Sequence, residues 1–228
     1  MLRCLGYSVA GSAAKPGRIA VSAEDLAITR AGRAAKRALD LLISAPSLVL
    51  LSPFIALFGL IIKVYDGGPI FYRRRVVGPK GEFDAFKLRT MCTNADEVLE
   101  KNLSLRREFE VNFKLKNDPR ITPVGSFLRK ASLDELPQLW NVVKGEMSLV
   151  GPRMIHPAEL EKYGTAAWIF RCVKPGLTGY WQVQGRQEVS YEKRVEMDLF
   201  YLQNWSLGFD LKILMQTPLR VVRGAGAY

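Results

Sequence analysis

The chain has 228 residues, with 33 Lys and Arg against 22 Asp and Glu, for a net charge of +11. With 48% apolar residues it is no disordered basic tail, and its length supports a sizeable core in one large domain or two small ones. One His and three dispersed Cys (Cys4, Cys92 and Cys172) exclude a His-based zinc site, a CxxC pair and a disulfide framework; they point to a reducing compartment, and a Ser-His-Asp triad would have to run through His156.

Residues 1–31 hold Gly, Ala, Ser and Pro without a period and read as a poorly ordered arm, able to touch anionic lipid. From Leu41 to Ile62 there is no charged residue, and these 22 positions suffice to cross a hydrocarbon core of about 30 Å as one helix. Pro46 and Pro53 argue against a straight span, because a helix-interior Pro removes a backbone bond and bends the helix. Pro53 frees the carbonyl of Val49, and Ser52 can supply the local hydrogen bond that lipid demands. Arg30, Arg33, Lys36 and Arg37 precede the segment, and Lys63, Arg73, Arg74 and Arg75 follow it. Residues 1–89 carry 14 basic and 6 acidic side chains, against 19 and 16 in residues 90–228. Both flanks are therefore basic, and positive residues favour the cytoplasmic side. The expectation is a re-entrant membrane helix over 32–64, broken at Ser52-Pro53, that enters and leaves the same leaflet.

Residues 65–228 read as a cytoplasmic domain. Ile70–Val77 and Phe83–Leu88 look like strands joined by a turn at Gly78-Pro79-Lys80-Gly81. Ala95–Phe113 reads as a charged helix, ended by Asn117-Asp118-Pro119. A helix starts near Asp134, runs to Val143 and stops at Lys144-Gly145. Pro157–Phe170 and Ser190–Asn204 read as helices, and the turn at Lys174-Pro-Gly-Leu-Thr-Gly leads into Tyr180–Gln184. Trp205–Val222 is an amphipathic stretch interrupted by Pro218, suited either to the membrane interface or to the core. The fold class expected is α+β, mostly helical, with short strands, interfacial amphipathic helices and the re-entrant helix.

Chemistry concentrates at Ser132-Leu-Asp-Glu-Leu-Pro-Gln. Asp134 and Glu135 are adjacent carboxylates at a helix start, where capping is the plain explanation: Ser132 with Glu135 fits a capping box, and Asp134 alone is a good N-cap. Pro137 favours Asp134, since it then falls in the first turn, where a missing N–H costs little. The same place suits phosphate chemistry: an ionised Asp can attack phosphorus, and a neighbouring Glu can hold Mg²⁺. Lys87, Arg89, Arg120, Arg129, Lys130 and Arg153 are the available phosphate partners. No P-loop and no GxGxxG occurs, and no aromatic-basic pattern suggests nucleic acid.

The stretch ASLDELPQLWNVVKGEMSLVGPR, from Ala131 to Arg153, resembles the bacterial sugar transferases, the monotopic polyprenyl-phosphate sugar-1-phosphate transferases. Phe86-Lys-Leu-Arg-Thr-Met, Asp118-Pro-Arg-Ile-Thr-Pro-Val-Gly and Lys174-Pro-Gly-Leu-Thr-Gly-Tyr-Trp-Gln-Val-Gln-Gly-Arg186 follow the family's order, so the resemblance covers about residues 33–228. Length and ending look most like the exopolysaccharide undecaprenyl-phosphate galactose phosphotransferases. The resemblance implies transfer of a sugar-1-phosphate from a UDP-sugar to undecaprenyl phosphate, with Mg²⁺ and release of UMP. Asp134 would be the nucleophile, and Glu135 would assist with metal and positioning. Arg153 would bind phosphate, Gln138 and Arg186 would join Lys87, Arg89, Arg120 and Arg129 in binding substrate, and Ser52-Pro53 would bend the membrane helix. The family usually has Pro where this chain has Met154, which puts the loop's shape in question. His156 reads as structural. The partners implied are the UDP-sugar, undecaprenyl phosphate and membrane lipid, at the bacterial inner membrane with the catalytic domain on the cytoplasmic face. A homodimer stays an open expectation with no residue pattern behind it. Glucose is the second choice of sugar, and a non-catalytic assembly scaffold is the competing function.

Overall fold

A computed structural model describes residues 29–112, 115, 117–184 and 190–222. The expected arm, apart from its last residues, and Arg186 lie outside them. Helix α1 (Arg30–Asp66) starts at Thr29, whose Oγ1 accepts from the Gly32 N–H at 3.0 Å, and ends at Gly67 in the left-handed region. It is the one helix, among the described residues, long and apolar enough to cross a membrane. Helical conformation runs without interruption through Pro46 and Pro53, so Ser52-Pro53 does not divide it into two helices. Ser52 Oγ does donate to the Val49 carbonyl, at 2.8 Å, and thereby satisfies the oxygen that Pro53 cannot. Leu42, Val49, Leu50, Phe54 and Leu60 are all more than half exposed, an apolar face with no protein over it.

Both ends of α1 are fastened to the rest of the chain. Near its start, Lys36 pairs with Asp210 at 2.6 Å, and Asp40 accepts from Ser148 Oγ and the Leu149 N–H at 3.0 and 2.9 Å. Arg37 donates to the carbonyls of Val142 and Val143 at 2.6 and 2.7 Å. Near its end, Ile62 packs with Leu88 and Leu128, and Asp66 pairs with Arg89.

Strands β1 (Phe71–Gly78) and β2 (Gly81–Leu88) form the expected antiparallel hairpin, with Tyr72 opposite Lys87 and Arg74 opposite Ala85. The expected helix from Ala95 onward is two, α2 (Ala95–Lys101) and α3 (Leu103–Asn112). Asn102 divides them because its Oδ1 accepts from Ser104 Oγ and the Leu105 N–H, an alternative to the helical bond. Helix α4 (Pro123–Lys130), absent from the sequence reading, has the expected signals of a capping Thr122, which accepts from the Gly125 N–H at 2.9 Å, and Pro123 at the first position. Gly125 touches β2's continuation so closely that a Cβ there would lie 2.0 Å from the Thr90 carbonyl oxygen.

Helix α5 (Gln138–Lys144) ends at left-handed Gly145, as the Lys-Gly pair suggests. Strand β3 (Ser148–Val150) pairs in parallel with β4 (Gly176–Thr178). Between them, the single helix expected over 157–170 is a series of short turns, including α6 (Leu160–Tyr163) and α7 (Ile169–Cys172), with Gly164 at positive φ between them. His156 is structural, as expected: its Nδ1 accepts from the Ala158 N–H while Glu159 accepts from its own backbone. Helices α8 (Tyr180–Gln184), α9 (Tyr191–Gln203) and α10 (Leu207–Val222) complete the chain, with Ser190 capping α9 and Pro218 inside α10. Val76, Ala85, Val142, Met147, Ile155 and Phe170 anchor one core. The architecture is α+β, mostly helical, as the sequence suggests.

Candidate active site

The dyad occupies the bend between α4 and α5. Ser132 has φ 56° and is the only non-Gly residue at positive φ among the described residues. A strained backbone of this kind persists where its surroundings impose it. Leu133–Glu135 then makes one tight turn, and Pro137 leads into α5. Ser132 forms no side-chain cap, and no side chain caps α5. Both capping explanations therefore fall, because the turn before Pro137 separates the carboxylates from the first N–H groups of the helix. Asp134 is 8% exposed and free of a capping duty.

Lys87, projecting from β2, lies 2.5 Å from Glu135 and 3.9 Å from Asp134. Burial pushes the Asp134 carboxyl up to about 6; Glu135 adds to this, while Lys87 and Arg129 oppose it. Burial also works to raise Glu135, but Lys87 outweighs it with help from Arg74 and Arg153, and the net direction is down. The environment thus separates two neighbouring carboxyls: one stays firmly ionised, and the other is more basic yet still largely ionised at neutral pH. A more basic carboxylate is the better nucleophile of the two.

Arg129 donates from Nε to Thr90 Oγ1 at 2.8 Å and faces Asp134 electrostatically. Gln138 is fully buried next to the dyad, with neither amide atom bonded. Arg153 reaches far enough to lower Glu135, and its backbone pairs with Gly176. Met154, in place of the family's Pro, is buried in the core and leaves that pairing intact. Arg89 and Arg120 direct their guanidinia elsewhere. Arg89 pairs with Asp66 and ties α1 to the strand, whereas Arg120 forks onto Asp118 at 2.8 and 2.7 Å.

Arg74 was missed as a site residue. Period-two alternation puts it on the Lys87 face of the hairpin, so the register held the signal. It pairs with Glu159 at 2.9 Å and contributes to the field at Glu135. Trp181, Arg194 and Asp198 gave no local signal, since only the tertiary fold brings α8 and α9 against Arg153.

The donor set suits Mg²⁺. Two adjacent carboxylates supply hard oxygens, and this ion is commonly held by one or two carboxylates with substrate phosphate and water. No group of three potential metal-ligating side chains occurs among the described residues. Neither Cys92 nor Cys172 is in a disulfide.

The chain's relatives fit this site. Over 207 residues it is 46% identical to the exopolysaccharide production protein ExoY of Rhizobium meliloti, covering 89% of this chain and 92% of that protein. It is 48% identical over 205 residues to the undecaprenyl-phosphate galactose phosphotransferase of Salmonella typhimurium, covering 87% of this chain and 43% of that protein. It is 37% identical over 213 residues to the UDP-glucose:undecaprenyl-phosphate glucose-1-phosphate transferase of Escherichia coli, covering 90% of this chain and 44% of that protein. The chain thus spans less than half the length of these last two. Residues 31–224 match the bacterial sugar transferase family model, and the chain belongs to that family.

Proposed function

We propose that the protein transfers galactose-1-phosphate from UDP-galactose to undecaprenyl phosphate, as the first membrane step of exopolysaccharide synthesis. The observation that carries this reading is the uncapped, buried Asp134 beside Glu135 and Lys87. An Asp134 carboxylate oxygen attacks the sugar-bearing phosphorus. The bond from that phosphorus to the bridging oxygen breaks, UMP leaves with the electron pair, and an acyl phosphate remains. The phosphate oxygen of undecaprenyl phosphate then attacks the same phosphorus and returns Asp134 as a carboxylate. Lys87 and Glu135 stay paired through both steps and hold the field at Asp134. Asp134 and Glu135 are the residues that would hold Mg²⁺, which when bound would offset phosphate charge.

Galactose is favoured because the galactose transferase of Salmonella is more similar to this chain than the glucose transferase of Escherichia coli. A panel of UDP-sugars assayed for UMP release tests this directly. UDP-galactose should give the highest kcat/KM, with release dependent on Mg²⁺ and sustained only by undecaprenyl phosphate. A faster reaction with UDP-glucose would overturn the sugar, and no release with any UDP-sugar would favour a scaffold.

The re-entrant topology is proposed on the same footing. Attachment of both ends of α1 to the same part of the chain supports it, because a spanning helix would carry Asp66 to the far side of the membrane from the contacts that Arg37 makes. The basic flanks support a place for that part on the cytoplasmic face of the inner membrane. Reporters fused before Arg30 and after Tyr228 should be labelled from the same side; labelling from opposite sides would mean a spanning helix.

A further inference from the structure

Two guanidinium groups share one indole. Arg153 and Arg194, the latter from α9, each lie 5.1 Å from the centre of the Trp181 ring. Trp181 is 8% exposed, so the ring is a wall that holds both forks, with little surface left for a nucleobase. Burial, together with repulsion by the Arg153 charge, keeps Arg194 below the usual arginine value.

The local acids do not balance the pair. Glu159 is engaged by Arg74 at 2.9 Å. Asp198 accepts from Tyr163 OH at 3.1 Å and from the Arg153 backbone N–H at 3.3 Å, and burial pushes its carboxyl up to about 7. It is therefore only partly ionised near neutral pH. Among the described residues neither Arg153 nor Arg194 forms an ion pair with a carboxylate, and Arg194 Nε is buried with no hydrogen-bond partner. Two guanidinium groups on one ring, with no direct carboxylate pair among the described residues, have the donor geometry that a phosphate dianion takes. The dyad is near, since Arg153 lowers Glu135.

We propose that Arg194 is a second phosphate-binding residue, which grips with Arg153, across Trp181, a phosphate group of the reacting substrates. This rests on the transfer reaction proposed above. The chemistry recognised is a phosphate ester dianion, which either the nucleotide diphosphate or the lipid phosphate can supply.

The test uses the full chain in lipid nanodiscs, with Arg194→Gln and Arg194→Lys. KM is measured for UDP-galactose and, separately, for undecaprenyl phosphate. Affinity for inorganic pyrophosphate is measured by calorimetry. Arg194→Gln should raise one KM by about 10- to 100-fold at unchanged melting temperature. Arg194→Lys should recover part of this, keeping the charge but not the fork. The KM that moves identifies the phosphate. Both KM values and the pyrophosphate affinity staying within about twofold of wild type would overturn the proposal. If Arg194→Gln fails to fold, Arg194→Lys decides alone: a raised KM at unchanged melting temperature supports the role, and an unchanged one overturns it. If wild type turns over no UDP-sugar, the reaction itself is wrong. Pyrophosphate binding lost in the variant then still supports the anion site, and equal binding, or none by wild type, overturns it.

Discussion

Asp134→Asn is expected to lower UMP release by about 10,000-fold or more. The amide keeps the shape of the carboxylate but cannot attack phosphorus. The fold should survive, because burial already disfavours the charged form of Asp134, and a neutral side chain in its place relieves that cost. The melting temperature should be equal or higher, so that lost activity cannot be put down to lost structure. Lys87 keeps Glu135 as its nearer partner, at 2.5 Å, and is not stranded by the change. Turnover within about tenfold of wild type would remove Asp134 from the nucleophile's role.

Asp210→Ala should cost about 3–5 kcal/mol of stability, or on the order of 10 °C in melting temperature. Asp210 is wholly buried on α10 and takes hydrogen bonds from Lys36 at 2.6 Å, Tyr201 OH at 2.7 Å and Trp205 Nε1 at 3.1 Å. Its removal leaves the buried Lys36 ammonium without its carboxylate, with only the Tyr201 hydroxyl at 3.3 Å in reach, and takes an acceptor from Tyr201 and Trp205, which costs more than the pair contributes when intact. Replacing both partners by apolar residues, as in Lys36→Met with Asp210→Leu, should recover much of the loss. The double variant therefore separates the penalty of an unpaired charge from the worth of the contact. Thermal unfolding in nanodiscs reads both; a single variant within about 2 °C of wild type would show that this network does not fasten α1.

Much of this arrangement is legible in the residues. The apolar run, the Ser52 bond to Val49, the hairpin turn and the Lys144-Gly145 stop follow from local chemistry. So does the α9 cap at Ser190, where an exposed side chain meets its own helix. What the sequence hides is where local rules compete. Asn102 looks helical in a charged run, yet its side chain divides the helix. Ser132, Asp134 and Glu135 satisfy the capping patterns, but Pro137 and a left-handed Ser132 insert a turn that cancels them. At the site, charge alone does not separate roles. Lys87 and Arg153 act at the dyad, while Arg89 and Arg120 have the same chemistry and answer to Asp66 and Asp118. Only pairing across distant segments makes that distinction, and it is also what brings Arg194 to Trp181.

The central claim is a covalent phospho-sugar on Asp134. Wild-type protein should be mixed with UDP-galactose and Mg²⁺ without lipid acceptor, quenched, and read by intact mass and peptide mapping. A mass increase of one hexose phosphate on the peptide containing Asp134, discharged on adding undecaprenyl phosphate, is the predicted result. Full turnover with no such adduct, or an adduct on another residue, would contradict it.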